Sequence, residues 1–173
     1  VDGFRRDLAV VRMGPDGPAP LISIVAGGEQ AGKSMSIGHH IAAAAALAEP
    51  GRNIFWLLAE TYSDLRREYD YALDGLIHAG LTRPGMYSTA KQGPWELRLT
   101  NGAVIKTIAT ADERDIKGDS PDGIAMCEPG VQTFEAFEAA VRRSFPHQAW
   151  MLVAGTFERD ETGWFPDLWD RCQ

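Results

Sequence analysis

Short apolar runs and longer mixed segments alternate along this chain. LISIVA (21–26), NIFWLLAE (53–60), GIAMCE (123–128) and AWMLVAGT (149–156) are apolar almost throughout and bounded by glycine, proline or charged residues. A run that is apolar on both of its alternating faces suits a strand covered from both sides, as in a parallel sheet. The segments between them read as helices. Helix formers dominate from Gly32 to about Ala48, and EPG (49–51) ends the stretch. The alanine run 42–46 suggests a helix packed closely on a sheet. In SDLRREYDYALDGLIHAG (63–80), Leu65, Tyr69, Leu73 and Leu76, with Ala72 and Ile77, recur at helical spacing, and Gly80 is placed to cap the end. TFEAFEAAVRRSF (133–145) is a further amphipathic helix, and a short one is expected around 165–171. WELRLTNGAVIKTIA (95–109) alternates about a central Asn-Gly, the signal of a β-hairpin. TADE (110–113) reads as a capping box opening a short helix that Gly118 stops. GPDGPAP (14–20) is a turn separating a short amphipathic opening from the body.

Strands alternating with helices predict an α/β domain: a mainly parallel sheet with helices on both faces and an added antiparallel hairpin. The whole chain, 1–173, is expected to form one domain, with 1–20 an N-terminal extension and 21–173 the core. In such sheets ligands bind beyond the carboxyl ends of the strands. The glycine-rich loop after residue 26, Glu128 and Thr156 all fall there.

That loop carries the most specific chemistry in the chain. Gly27, Gly28, Glu29, Gln30, Ala31, Gly32, Lys33 and Ser34 match the phosphate-binding P-loop in full, between a predicted strand and a predicted helix, and Met35 follows. Such a loop turns backbone N–H groups inward on phosphates, and the helix N-terminus adds partial positive charge. Lys33 is placed to reach the β- and γ-phosphates of ATP, and Ser34 to ligate Mg²⁺. Glu128 ends an apolar strand, where a carboxylate can orient or deprotonate a water attacking the γ-phosphate; an ordinary acid at a strand end is the other reading. The preceding position, where an aspartate usually holds the magnesium shell, is Cys127. Either the metal is held more weakly or another carboxylate, such as Asp119 or Asp122, takes that place. Thr156 is a candidate sensor of the γ-phosphate or a simple turn cap. Arg114 and Lys117 are candidate arginine-finger-type groups or solvated surface charges. Asp64, Arg66, Arg67, Arg142 and Arg143 read as solvated. His39 and His40 are adjacent on a helix, so they diverge and make no metal pair.

Composition narrows the picture. Charged residues are 24% and apolar ones 45%, ordinary for a globular protein, and the net charge is −7. That balance argues against a free-standing DNA binder, so any DNA contact is expected to be local or shared with other subunits. No apolar stretch is long enough for a bilayer span, and the opening residues lack a signal-peptide core. Cys127 and Cys172 offer neither a disulfide framework nor a metal spacing, which suits a reducing cytoplasm. The first residue is Val1, which suggests a piece of a longer protein.

In order, GGEQAGKS, WLLAETYSDLRREYDY, WELRLTNGAVIKTIATADERDIKGDSPDGIAMCE and AWMLVAGTFERDETGWF resemble the ATPase domain of the large terminase subunit of tailed bacteriophages, across roughly residues 21–170. The resemblance implies a RecA-like P-loop NTPase fold of the additional-strand (ASCE) class and ATP hydrolysis that drives double-stranded DNA into a procapsid. It implies Walker A at Gly27–Ser34, the catalytic glutamate of Walker B at Glu128, and a coupling motif at Gly155–Thr156. It makes Arg114 the candidate trans-acting arginine, with Lys117 in reserve. Implied partners are double-stranded DNA, the portal protein, the small terminase subunit and further copies of the chain in a ring, the isolated domain being a monomer. The implied location is the host cytoplasm, with no membrane. The family's C-terminal nuclease domain has no counterpart within these residues, and residues 1–20 show no recognisable adenine-binding segment. Two other readings use the same loop: a P-loop kinase, for which LTRPGMYSTAKQGP (81–94) is a thin acceptor lid, and a nucleotide-dependent binding module without turnover, motivated by Cys127.

Overall fold

A computed structural model describes residues 9–12, 21–28, 30–111, 116, 118–156 and 163–171. Its centre is one sheet of seven described strands. In chain order these are β1 (Ala9–Arg12), β2 (Leu21–Ala26), β3 (Ile54–Ala59), β4 (Glu96–Arg98), β5 (Val104–Ala109), β6 (Gly123–Cys127) and β7 (Trp150–Gly155). Across the sheet they run β1-β2-β7-β6-β3-β5-β4. The five central strands are mutually parallel, and β1 and β4 pair antiparallel at the two edges. The four apolar runs became four of the five parallel strands; the fifth, β5, is one arm of the hairpin, so only its other arm, β4, is antiparallel. The hairpin forms as expected, with Arg98 opposite Val104 across the Asn-Gly turn. A second antiparallel strand, β1, lies in the segment read from sequence as an amphipathic opening. It pairs the outer side of β2 and so blunts that edge.

Alternate residues of each strand serve opposite helix layers. Phe55, Leu57 and Ala59 of β3, with Ala125 and Cys127 of β6, pack under α1 (Lys33–Leu47) and α2 (Arg66–His78). Trp56 and Leu58, with Ile124 and Met126, pack against α3 (Phe134–Ser144) and α4 (Trp164–Asp170). The period of two along a strand thus fixes which face position 127 looks onto. Leu65, Tyr69, Ala72 and Leu76 form the buried stripe under α2, Leu73 is partly buried, and Ile77 is exposed. A 3-10 turn over Ser63–Leu65 precedes α2, and Gly80 (φ +69°) follows it, with Leu81 N–H returning to Leu76 O at 2.9 Å. Thr133 caps α3 by accepting from Ala136 N–H at 3.2 Å. Among the described residues no helix is long and apolar enough to cross a membrane.

Two contacts tie this frame to the glycine loop. Asn101, in the hairpin turn, donates from Nδ2 to Ala45 O at 2.9 Å and so closes the carboxyl end of α1. Gly38 on α1 lies against the α2 backbone: a Cβ there would stand 2.6 Å from Glu68 O and 2.7 Å from Tyr71 Cβ. The missing side chain lets the two helices approach at that height.

Candidate functional site

The parallel strands end together, and the loops leaving them share one edge of the sheet. The glycine loop follows β2. Gln30 and Gly32 take left-handed conformations (φ +60° and +78°), which turn the chain into α1. Gly27 N–H donates to Gly155 O at 3.2 Å, so the loop starts from the end of β7. Lys33 opens α1, and its Nζ donates to the carbonyls of Gly27 and Gly28, 2.9 Å each. The ammonium thus curls back over the loop that the sequence motif assigns to phosphate. Ser34 is half-buried and Met35 exposed. Glu29, Arg114 and Lys117 lie outside the described residues, as does most of the short helix expected from residue 110. Cys172 lies outside them as well.

Glu128 stands directly beyond β6, exposed, with φ +46° and ψ +60°. A non-glycine residue in that region stores strain, which is concentrated at working positions. Three contacts hold the turn. Glu128 N–H donates to Ala154 O (2.9 Å), Thr156 Oγ1 donates to Glu128 Oε2 (3.1 Å), and Pro129 lies against Gly155. A Cβ on Gly155 would stand 2.5 Å from Pro129 Cδ, so any larger residue there displaces the turn. Behind it, Gln132 is buried. Its Nε2 donates to Cys127 O (2.6 Å), its Oε1 accepts from the Thr110 hydroxyl (2.8 Å), and Trp164 Nε1 donates to its backbone carbonyl (2.8 Å). One side chain therefore links the ends of β5 and β6, and its backbone takes in α4. Gly155 and Thr156 join the glycine loop to Glu128, which is more than a turn cap does.

The acids do not fall where the sequence placed them. Asp122 precedes β6 at its amino end: its Oδ2 accepts from Ile54 N–H (2.8 Å), and Oδ1 lies 3.0 Å from His147 Nδ1. Asp119 lies 2.6 Å from Lys106 Nζ and 3.5 Å from Arg52. The Lys106 hydrogen bond and charge hold its carboxyl below the usual range. Six residue steps, at strand rise about 20 Å, separate Asp122 from Glu128. Neither aspartate replaces the one missing at Cys127. A further carboxylate, with no part in the reading of the sequence, acts on Cys127: Glu68 on α2, 5% exposed. Its Oε2 has no hydrogen-bond partner among the described residues. Burial pushes its carboxyl up. The nearby Ser34 hydroxyl and the charge of Arg67 oppose that shift, while the charge of Glu128 adds to it. The Cys127 thiol, 1% exposed, is pushed up by burial and then by Glu68 and Glu128. A signal was present in the sequence: position 68 is three after Leu65 and four before Ala72, an acid on the apolar stripe of a helix.

The remaining candidates separate cleanly. Arg142 pairs with Glu138 at the surface, Arg66 with Asp70, and Asp64 Oδ2 accepts from Thr61. Arg143 is more than solvated: it donates to Ile116 O (3.2 Å) and Gly118 O (3.3 Å). His39 faces Tyr71 and His40 faces Trp150, so they diverge as expected. A magnesium ion fits the chemistry at Ser34, because its hydroxyl lies near a buried carboxylate that has an unpartnered oxygen among the described residues. Among the described residues no group of three or more His, Cys, Asp or Glu forms a metal cluster. Mg²⁺ bound with phosphates needs only one or two protein carboxylates.

The sequence matches no protein-family model and no curated protein sequence. Solved structures do match in fold. The large terminase ATPase domain of Thermus phage P74-26 superposes with a TM-score of 0.65 at 17% identity, over 83% of this chain and 62% of that one. The HK97 bacteriophage large terminase gives 0.64 at 14%, over 86% and 31%. A large terminase from a thermophilic bacteriophage, in complex with ADP, gives 0.59 at 15%, over 76% and 33%. The chain has the P-loop fold of large-terminase ATPase domains, and it spans 62% of the length of the Thermus phage domain.

Proposed function

We propose that this chain binds ATP at the glycine loop and hydrolyses it, as the motor part of a DNA-packaging terminase. The observation that carries the reading is the hydrogen-bonded path from Gly27 through Gly155 and Thr156 to Glu128. It makes the phosphate loop and the strained acid one mechanical unit. ATP and water give ADP and phosphate: the water oxygen forms the new P–O bond, and the bond between the γ-phosphorus and the bridging oxygen breaks. Glu128 orients that water and accepts its proton. The Lys33 ammonium turns from the Gly27 and Gly28 carbonyls to the β- and γ-phosphates, and the loop N–H groups hold the rest. Magnesium, held at Ser34, would neutralise phosphate charge. Thr156 reads the change at Glu128 and passes it to β7. Arg114 is the arginine proposed to complete a neighbour's site in a ring, on DNA and the portal, with the small terminase subunit as partner.

The fold of the terminase ATPase domains, and ADP in one of those structures, support the nucleotide and the motor parts of this reading. The test is phosphate release from ATP over a series of protein concentrations, with and without double-stranded DNA. Turnover rising faster than linearly, and rising further with DNA, is the expected result. Turnover strictly proportional to protein and indifferent to DNA would contradict the ring and the DNA partner. Cys127 favours one rival, a module that binds nucleotide and never turns it over. Tight ATP binding with no phosphate release in any assembly would establish that rival.

A further inference from the structure

The strand position that would offer a carboxylate to magnesium is occupied by a buried, neutral cysteine. Cys127 faces the layer of α1 and α2, since alternate residues of β6 point to opposite sides. On that layer Glu68 is buried, with one oxygen unpartnered among the described residues, and its backbone meets α1 at Gly38, one turn beyond Ser34. From this juxtaposition we propose that Glu68, on the second helix, supplies the protein carboxylate of the magnesium shell at Ser34, in the place left by Cys127. The inference rests on the nucleotide-site reading above and concerns which residue serves it.

Two observations converge on it. An unpaired buried carboxylate oxygen carries a desolvation penalty, and a fold retains such an atom where something else satisfies it. The placement is also built in. Ser34 and Gly38 are four residues apart, on one face of α1. Gly38 is where the backbone of α2 comes closest, at Glu68 itself, so a side chain there would push Glu68 away from Ser34. A glutamate reaching across from a helix covers the extra distance that an aspartate on the strand does not need.

The experiment measures ADP binding by calorimetry to the full chain, in EDTA and in MnCl₂, with Mn²⁺ electron paramagnetic resonance reporting the bound metal directly. Glu68→Gln keeps the shape of the side chain and removes its charge. The expected result is a loss of at least tenfold in the gain in ADP affinity that Mn²⁺ confers, with affinity in EDTA unchanged or higher. Adding Cys127→Asp to Glu68→Gln restores most of that gain. A metal-dependent gain that survives Glu68→Gln overturns the inference and leaves the nucleotide site standing. So does an equal loss of affinity in EDTA and in Mn²⁺, which marks a purely structural role. If the unsubstituted chain binds no ADP in either condition, the nucleotide-site reading falls and this inference with it. Thermal melting of Glu68→Gln at or above the unsubstituted chain verifies that the variant is folded.

Discussion

The two ends of β6 carry acids in opposite conditions. At the amino end, Asp122 is matched by the Ile54 amide and His147, and Asp119 by Lys106 and Arg52. At the carboxyl end, Glu128 is held in a left-handed backbone, and Glu68 is buried with an oxygen unpaired among the described residues. Satisfied acids stabilise a fold; strained or unsatisfied ones persist where binding or chemistry makes use of them.

The largest break in this contrast comes from its two lysines. Lys33→Ala removes the cation of the glycine loop and should weaken ATP binding by about 10–100-fold, the worth of one charge-assisted hydrogen bond. Lys106→Met, at the satisfied edge, should leave the affinity unchanged; calorimetry measures both. Next is Gly155→Ala, whose Cβ meets Pro129. It should destabilise the chain by roughly 1–3 kcal/mol in urea unfolding and slow ATP turnover together, because the same turn positions Glu128. The equivalent overpacking at the amino edge should affect stability alone.

The acids themselves give the sharper test, in effects of opposite sign. Asp122→Ala leaves the Ile54 amide unpaired and should cost about 1–2 kcal/mol. Glu68→Gln should stabilise the nucleotide-free chain at neutral pH by on the order of 1 kcal/mol. The pH dependence distinguishes them further. The Glu68 carboxyl is raised by burial, so the stability linked to it is complete below the ordinary carboxylate pKa, about 4.3, and is lost as pH rises. The advantage of Glu68→Gln should therefore shrink as pH falls. Asp119 is lowered by Lys106, so its contribution is present above the carboxylate range and lost as pH falls. Asp119→Asn should lower the melting temperature by about 1 °C or less at neutral pH, since the pair is solvent-exposed, and not at all in acid.

What could be read from the sequence follows from how local each signal is. The glycine loop is a contiguous motif, and Glu128 and Thr156 each end an apolar run, so strand direction alone carries them to one edge. Asn101-Gly102 announces its hairpin within four residues of its strands. The strand β1 is four residues long and owes its place to pairing with β2, which no local pattern encodes. Asp119 and Asp122 were natural substitutes for an aspartate at 127 because they are close in sequence, but a strand carries such neighbours to its far end. Glu68 is distant in sequence from Cys127 and comes onto the same layer only when α2 folds over α1 at Gly38. The apolar residues of α2 were read for their spacing, and the acid among them was the more telling letter.

The account turns on Glu128 as the acid that acts on water. The most direct test is phosphate release from saturating Mg-ATP by the unsubstituted chain and by Glu128→Gln, side by side at high protein concentration, with bound ATP measured in the same samples. If Glu128 activates the water, turnover falls about 10²–10⁴-fold in the variant while ATP remains bound. Equal turnover in the two proteins, or ATP bound by both with release from neither, would contradict it.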